Sequence, residues 1–171
     1  MSESSPVRKY YSAQEVSDFM CEFGADSTLA MQDTDIVMIE LLRGDDSLQL
    51  DFGPSCEFYD SVLCRYWVFV PSAPHRACDR WNEFPIFGTF SVVYDENDAP
   101  VETEAGFVIR SVLDVRFDRC KSEIDLVTQI LMFWFGLRVM QQQVVLGHTD
   151  FTTLSQMLAP GDFNRWWYGE E

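Results

Sequence analysis

Residues 77–110 limit the possible folds more strongly than any other part of this chain. Ala77, Trp81 and Phe84 recur at the spacing of one helical face, and Pro85 predicts the end of that helix. Pro74 suits the first turn of the same helix, because its missing N–H is not needed there. The segment therefore predicts a short helix that leads directly into strands.

The strands that follow form the clearest predicted hairpin. Phe90, Val92 and Tyr94 share one face of its first strand, and the acidic residues 95–98 favour a turn because Asn and Asp tolerate left-handed backbone. The second predicted strand covers residues 101–110 and alternates apolar with charged side chains. One face of that strand is predicted to carry Val101, Thr103, Ala105, Phe107 and Ile109. Such alternation indicates an antiparallel sheet with one solvated face.

Three more strand patterns precede the short helix. Residues 36–42 are apolar on both faces, residues 48–52 alternate apolar with polar, and residues 62–70 give the strongest signal. In the last of these, Trp67 and Phe69 point away from the face that carries Val62, Tyr66, Val68 and Val70. Both faces of this strand therefore need cover, from helices or from a second protomer.

Helices are predicted at both ends of this array. Ser12 and Glu15 fit a capping box, and Gly24 suits the end of that first helix. Ser122 is the predicted cap of a long helix that reaches about residue 143. The apolar arc of this helix is wider than one sheet contact needs. The C-terminal tail, a second protomer and a client protein are the three candidates for covering the surplus.

We therefore predict an α+β fold in which a mostly antiparallel sheet of five to six strands is flanked by helices. The expected order is helix, four strands, helix, two strands and helix, followed by a C-terminal tail. The domain is predicted to cover residues 11–146, between a flexible N-terminus (1–10) and an appendage (147–171). Within the appendage, Phe151, Leu154 and Leu158 suggest a short helix.

Charge and composition exclude several partners. The chain of 171 residues carries 28 acidic and 12 basic residues, a net charge of −16 that disfavours nucleic acid and anionic membranes. The acidity serves solubility or steers the chain toward a basic partner. Neither a signal peptide nor a membrane span is recognisable, and the five cysteines lack CxxC spacing. These features predict a cytoplasmic protein with reduced thiols.

The local patterns also occur in a known family when they are taken in order. They are the first helix ending at Gly24, residues 51–56 and 62–69 around a cysteine-bearing turn, the helix end Cys78-Asp79-Arg80-Trp81-Asn82, and residues 87–96. Over residues 11–143 this arrangement resembles the YbjN domain family, described as bacterial sensory transduction regulators. The resemblance implies a fold similar to type III secretion chaperones, and it brings no catalytic residues.

The chain departs from that family at three places. Asp79 stands where the family usually has an Asn, residues 110–121 replace a glycine-rich turn, and the tail after Gly147 has no counterpart.

No motif predicts an enzyme, a cofactor or a metal site. His75 and Cys78 lie three residues apart, but zinc needs three or four ligands. Cys56 and Cys64 are interpreted as packed thiols rather than a redox pair. Trp81 is interpreted as an anchor of the short helix on the sheet, with Asn82 as the cap of its end.

The surplus apolar surface is the main functional signal. We predict a non-enzymatic regulator or adaptor that grips another polypeptide, and a homodimer through the same surface is also expected. The residues of this predicted surface are Trp67, Phe69, Ile130, Phe133, Trp134, Leu137, Trp166 and Trp167. The alternatives are a chaperone for a secreted or aggregation-prone client and a small-ligand sensor or enzyme with a pocket near Trp81.

Overall fold

In the part of the chain that the structure describes, the fold is an open antiparallel sheet with four α-helices. The structure, a computed structural model, describes residues 8–31, 35–83, 87–148 and 161–169. The helices are α1 (Ala13–Glu22), α2 (Pro74–Trp81), α3 (Glu123–Val145) and α4 (Asp162–Tyr168). The strands are β1 (Asp26–Met31), β2 (Ile36–Arg43), β3 (Asp46–Pro54), β4 (Ser61–Val70), β5 (Thr89–Val92), β6 (Glu102–Thr103) and β7 (Gly106–Arg116).

The sheet contains seven strands in the order β1-β2-β3-β4-β7-β5, and the short strand β6 pairs with β7. The pairings β1–β2, β2–β3, β3–β4, β5–β7 and β6–β7 are antiparallel. The predicted α+β class with a mostly antiparallel sheet is confirmed. The sheet has one strand more than the upper expectation of six, because the strand predicted over residues 101–110 is divided between β6 and β7. Four strands precede α2, as the predicted order has it, although no residues had been assigned to β1. The predicted likeness to type III secretion chaperones stays a prediction.

The prediction of one continuous strand over residues 101–110 was wrong. Here the chain turns between β6 and β7, where Thr103 Oγ1 accepts from the Ala105 N–H at 3.2 Å. The same hydroxyl donates to the Gly106 carbonyl at 3.2 Å. Gly106 has φ +119°, and a Cβ atom there would lie 2.4 Å from the Val70 carbonyl oxygen. The alternation of apolar and charged side chains continues across this turn, so sequence periodicity alone could not reveal the turn.

The chain divides into two compact units, of which the first comprises Met1–Arg65 and Leu113–Met132. Helix α1 begins at the predicted capping box, with Ser12 and Glu15 each bonding to the backbone of the other. Its buried residues Val16 and Met20 lie one turn apart on a single face. On paired strands β3 and β4, Arg65 Nη2 lies 2.6 Å from Asp51 Oδ2, so the buried carboxylate has a charged partner.

The second unit comprises Tyr66–Val112 and Phe133–Glu171. Pro74 occupies the first turn of α2, as predicted, and Asn82 is the C-cap residue. Trp81 is completely buried, and its ring centroid lies 5.3 Å from that of Phe90 on β5. The interpretation of Trp81 as a structural anchor is therefore confirmed.

Helix α3 starts where Ser122 caps it, since the Ser122 hydroxyl accepts from the Asp125 N–H at 3.1 Å. Within the second unit, the helix has a notch at Gly136, into which the buried Phe87 ring fits. A Cβ atom at Gly136 would lie only 2.4 Å from Phe87 Cε1. The buried Ser111 hydroxyl donates to the Phe87 carbonyl, so the backbone of Phe87 is held as well as its ring.

Several sequence predictions fall on other residues. The helix stop at Pro85 and the short helix around residues 151–158 lie outside the described part of the chain, and so do residues 1–7 of the predicted flexible N-terminus (1–10).

Replacing Gly136 with Ala should destabilise the protein although Ala favours helices by about 1 kcal/mol. The added methyl overlaps the Phe87 ring, and overpacking of this kind costs about 1–3 kcal/mol. Urea unfolding would measure the change in the free energy of unfolding. In a Phe87→Leu background the same substitution should cost less, because the smaller side chain makes room. An equal or larger cost in that background would contradict the notch.

Candidate binding surface

The predicted binding surface separates into buried and partly exposed residues. Five of its members are almost completely buried, namely Ile130, Phe133, Trp134, Leu137 and Trp167. The other three, Trp67, Phe69 and Trp166, are half-buried. In this conformation the five buried side chains offer no surface to a partner, so any binding surface built from the predicted set is reduced to the last three.

A cluster of aromatic rings explains part of this burial. Trp134 and Phe135 on α3 contact the rings of α4, with Trp134 lying 5.3 Å from Trp166 and 5.9 Å from Trp167 between centroids. Phe135 stacks on Trp166 at 5.6 Å with an interplanar angle of 19°. Each such ring removes 150–250 Å² from water. The C-terminal tail, a second protomer and a client protein were the three candidates for covering α3. This part of the helix is covered by the C-terminal tail.

Trp166 differs from an ideally packed member of this cluster in its polar atom. Its indole Nε1 is buried and has no hydrogen-bond acceptor among the described residues. A buried donor without an acceptor costs about 1–3 kcal/mol. The Arg138 guanidinium lies over the same ring, 5.6 Å from its centroid, which is within cation–π range. The ring is therefore held by packing and by charge, but not by its polar atom.

Trp166→Ala should lower the free energy of unfolding by roughly 2 kcal/mol, because a half-buried ring loses its stacking partners. Trp166→Phe is the matched control. It keeps an aromatic ring and removes the unpaired N–H, so its cost should stay below about 1 kcal/mol. Chemical denaturation of the three proteins would measure both values. Equal losses in the two variants would show that the indole N–H has a partner after all.

The other two partly exposed residues of the predicted set lie on β4. Burial alternates residue by residue along this strand, with Val62, Cys64, Tyr66, Val68 and Val70 inside. Trp67 and Phe69 lie on the opposite face and are only half-buried. This confirms the predicted division of the strand into two faces. An outward face with two large aromatic residues is unusual, because solvated sheet faces carry mostly polar side chains.

A side chain of α3 forms hydrogen bonds with both backbone groups of Phe69. Gln141 on α3 accepts from the Phe69 N–H through Oε1 at 2.7 Å, and its Nε2 donates to the Phe69 carbonyl at 3.2 Å. Asn82 forms the same pair of bonds with Phe90. Its Oδ1 accepts from the Phe90 N–H at 2.7 Å, and its Nδ2 donates to the Phe90 carbonyl at 3.0 Å. Two carboxamides thus stand in for peptide groups. The role of Asn82 exceeds the predicted helix cap, and that of Gln141 was not predicted.

Two clefts of similar size lie in the second unit. One, of about 260 Å³, lies at the start of α2 and is lined by Val70, Pro71, Ser72, Ala73, Arg76, Ala77 and Arg80. The other, of about 280 Å³, lies between α3 and α4 and is lined by Phe135, Arg138, Val139, Gln142, Gln143, Asp162, Arg165 and Trp166. The completely buried Trp81 lines neither cleft.

Burial makes three of the five thiols poor nucleophiles. Burial raises the pKa of Cys64 far above its ordinary range, and the nearby Asp114 adds to this. Burial, followed by the charge of Asp79, raises the pKa of Cys78 to about 11. Burial, followed by Asp125, likewise raises the pKa of Cys120 to about 11. These thiols stay protonated at neutral pH, and a nucleophile needs the thiolate.

Cys56 and Cys64 differ in their exposure. Cys56 is exposed whereas Cys64 is buried, and both are free thiols. The interpretation of these two residues as packed thiols is therefore confirmed for Cys64 and wrong for Cys56, which lies in the exposed segment after β3.

A thiol titration would test this distribution. At pH 8 an aromatic disulfide reagent should react promptly with the two exposed thiols, Cys21 and Cys56. The other three should react slowly because burial keeps them neutral and inaccessible. The unfolded chain in urea should show all five. A third thiol reacting promptly in the native protein would contradict the packing around Cys78 or Cys120.

The predicted absence of a metal site concerned His75 and Cys78. His75 is exposed and contacts the Tyr94 hydroxyl at 3.3–3.4 Å, whereas Cys78 is buried. Within the described ranges, no group of three or more His, Cys, Asp or Glu side chains is placed to hold an ion. Within the same ranges, none of the helices combines the length and apolar character that a bilayer crossing requires.

Comparison with known proteins gives no match to a family model, to a curated protein or to a solved structure. The resemblance to the YbjN domain family therefore stays a prediction.

Proposed function

We propose that this protein is a non-catalytic module that binds another polypeptide on the outward face of β4. The proposed partner segment is extended or helical, carries apolar side chains and is basic. Its apolar side chains pack on Trp67 and Phe69. This is the predicted role of regulator or adaptor, with the contact restricted to the sheet part of the predicted sheet and long-helix surface.

The half-buried pair Trp67 and Phe69 carries this proposal. Large aromatic residues are the side chains that contribute most to protein interfaces, and Trp in particular is enriched among residues whose truncation abolishes binding. On neighbouring strand β7, Arg110 is exposed and Val112 is half-buried. An aromatic centre with a polar rim is the usual composition of such an interface.

The chemistry of the partner follows from charge. A chain with a net charge of −16 attracts basic segments and accelerates their association at low salt. The same charge repels a second copy of the chain, which weighs against the expected homodimer. The resemblance to regulators of the YbjN type, stated from the sequence, points in the same direction as this proposal. The raised pKa values of three buried thiols support a role without nucleophilic catalysis.

Binding of labelled dodecapeptides, followed by fluorescence anisotropy, tests the proposal. A peptide that alternates lysine with leucine should bind, and its affinity should fall as salt is raised. A peptide with glutamate in place of lysine should not bind. Because an interface aromatic contributes about 1–2 kcal/mol or more, Trp67→Ser together with Phe69→Ser should weaken binding at least about tenfold.

Ile124→Ser provides the control, since Ile124 is a large apolar residue with 65 % exposure at the start of α3. This variant should bind as tightly as the original protein, and circular dichroism would verify the fold of each variant. The proposal fails when no basic peptide binds. It fails equally when the double substitution on β4 changes affinity no more than Ile124→Ser.

A further inference from the structure

Strand β1 forms an open edge of the sheet in the first unit. It is the first strand of the sheet order, and it pairs with β2 in an unbroken antiparallel register from Asp26 opposite Leu42 to Met31 opposite Val37. In such a ladder every second residue directs its N–H and C=O groups away from the neighbouring strand. Among the described residues, no hydrogen bond reaches these groups from outside the β1–β2 pair. The edge therefore presents peptide groups that another strand can use.

The usual devices that protect a sheet edge are absent from β1 itself. Such devices are prolines, lysines and bulges, but β1 contains neither proline nor lysine, and its register with β2 has no shift. At the other end of the sheet order, by contrast, Asn82 engages both peptide groups of Phe90 on β5. Helix α1 lies over one face of β1, where Ser27 Oγ is 3.2 Å from Cys21 Sγ. This contact covers a face of the strand, whereas the peptide groups lie in the plane of the sheet.

The other face of β1 is acidic beside this edge. Asp26 and Thr28 are exposed and share that face because they are two residues apart. Glu40 on β2 is exposed and lies opposite Thr28, so it belongs to the same face. Arg43, the basic residue of β2, donates to the Gly24 carbonyl at 2.7 Å. Basic side chains on an added strand would therefore meet two carboxylates.

We propose that β1 accepts an extended basic segment of another polypeptide as an additional antiparallel strand. The peptide groups of the segment pair with those that β1 directs outward, and such main-chain bonds supply the affinity in strand addition. A lysine opposite Asp26 meets its carboxylate directly, and a lysine opposite Thr28 extends over that small residue toward Glu40.

Two observations define this proposal further. A second copy of the chain is disfavoured as the occupant, because it carries the same net charge of −16. The edge belongs to the first unit, whereas Trp67 and Phe69 belong to the second. Strand addition at β1 is therefore independent of the binding proposed for β4, and either can fail without the other.

Fluorescence anisotropy of a labelled peptide that alternates lysine with threonine tests this inference. The peptide has no large apolar side chain to pack on Trp67 and Phe69, and threonine favours strands. It should bind the full chain saturably, and it should bind the Trp67→Ser, Phe69→Ser double variant equally well. A peptide that alternates glutamate with threonine should bind at least about tenfold more weakly, because its charge is repelled.

Two N-methylated forms of the lysine–threonine peptide separate strand addition from attraction by charge alone. Methyl groups on every second peptide nitrogen remove the donors from one edge of an extended strand and leave its charges in place. One form carries the methyl groups on its lysines and the other on its threonines, so only one form blocks the edge that faces β1. We expect that form to bind at least about tenfold more weakly than the other. Equal binding of the two forms would overturn the proposal.

Charge reversal on the protein tests the predicted position. Asp26→Lys together with Glu40→Lys should weaken binding of the lysine–threonine peptide at least about tenfold, because two attractive contacts become repulsive. Glu96→Lys together with Glu104→Lys is the matched control, since it changes the net charge equally at two exposed residues of the second unit. Circular dichroism would verify the fold of both variants. Equal weakening by the two pairs, or none by the first, would contradict the site.

Amide hydrogen exchange provides a direct readout of the edge. The peptide should slow the exchange of every second N–H within β1, because those groups become hydrogen-bonded. Unchanged exchange at saturating peptide would rule out strand addition. Protection of the same groups without peptide, as the protein concentration is raised, would show that a second copy occupies β1 and would also overturn the proposal.

Discussion

The apolar character of α3 around most of its circumference is the constraint on which much of this structure depends. A helix of this kind is stable in water only when it is covered on several sides. Residues as different in direction as Leu126, Trp134 and Val139 are all buried. The C-terminal helix α4 supplies part of that cover with its own rings, which contact Trp134 and Phe135. A short helix with seven residues has little stability of its own, so the same contacts also hold α4 together.

Sequence periodicity predicted the elements whose burial is regular. The capping box at Ser12, the proline at the start of α2, the two faces of β4 and the cap at Ser122 were all predicted from local chemistry. The turn between β6 and β7 was missed because it preserves the alternation of side chains. It depends on Gly106, whose close approach to the Val70 carbonyl is a contact between residues far apart in the chain.

For the candidate surface too, the sequence predicted features that lie within one element and missed those that depend on contacts between distant residues. The sequence indicated that α3 has more apolar area than a sheet can cover, but three kinds of cover satisfied that pattern equally well. Only the contacts of Trp166 and Trp167 decide that the tail provides some of it. The cleft between α3 and α4 gave no sequence signal, because its lining comes from two helices that are brought together only by folding. Trp67 and Phe69 were assigned correctly to the second face of β4, since alternation within one strand is a local property.

The carboxamides of Asn82 and Gln141 have a consequence for the behaviour of this protein at high concentration. Each one occupies both hydrogen-bonding groups of a strand residue, Phe90 in one case and Phe69 in the other. Unoccupied peptide groups of this kind serve as templates on which other chains are added. β5 is the last strand of the sheet order, so the engaged groups of Phe90 close that position to pairing with another chain. A carboxamide achieves this without introducing a charge beside the buried aromatic rings.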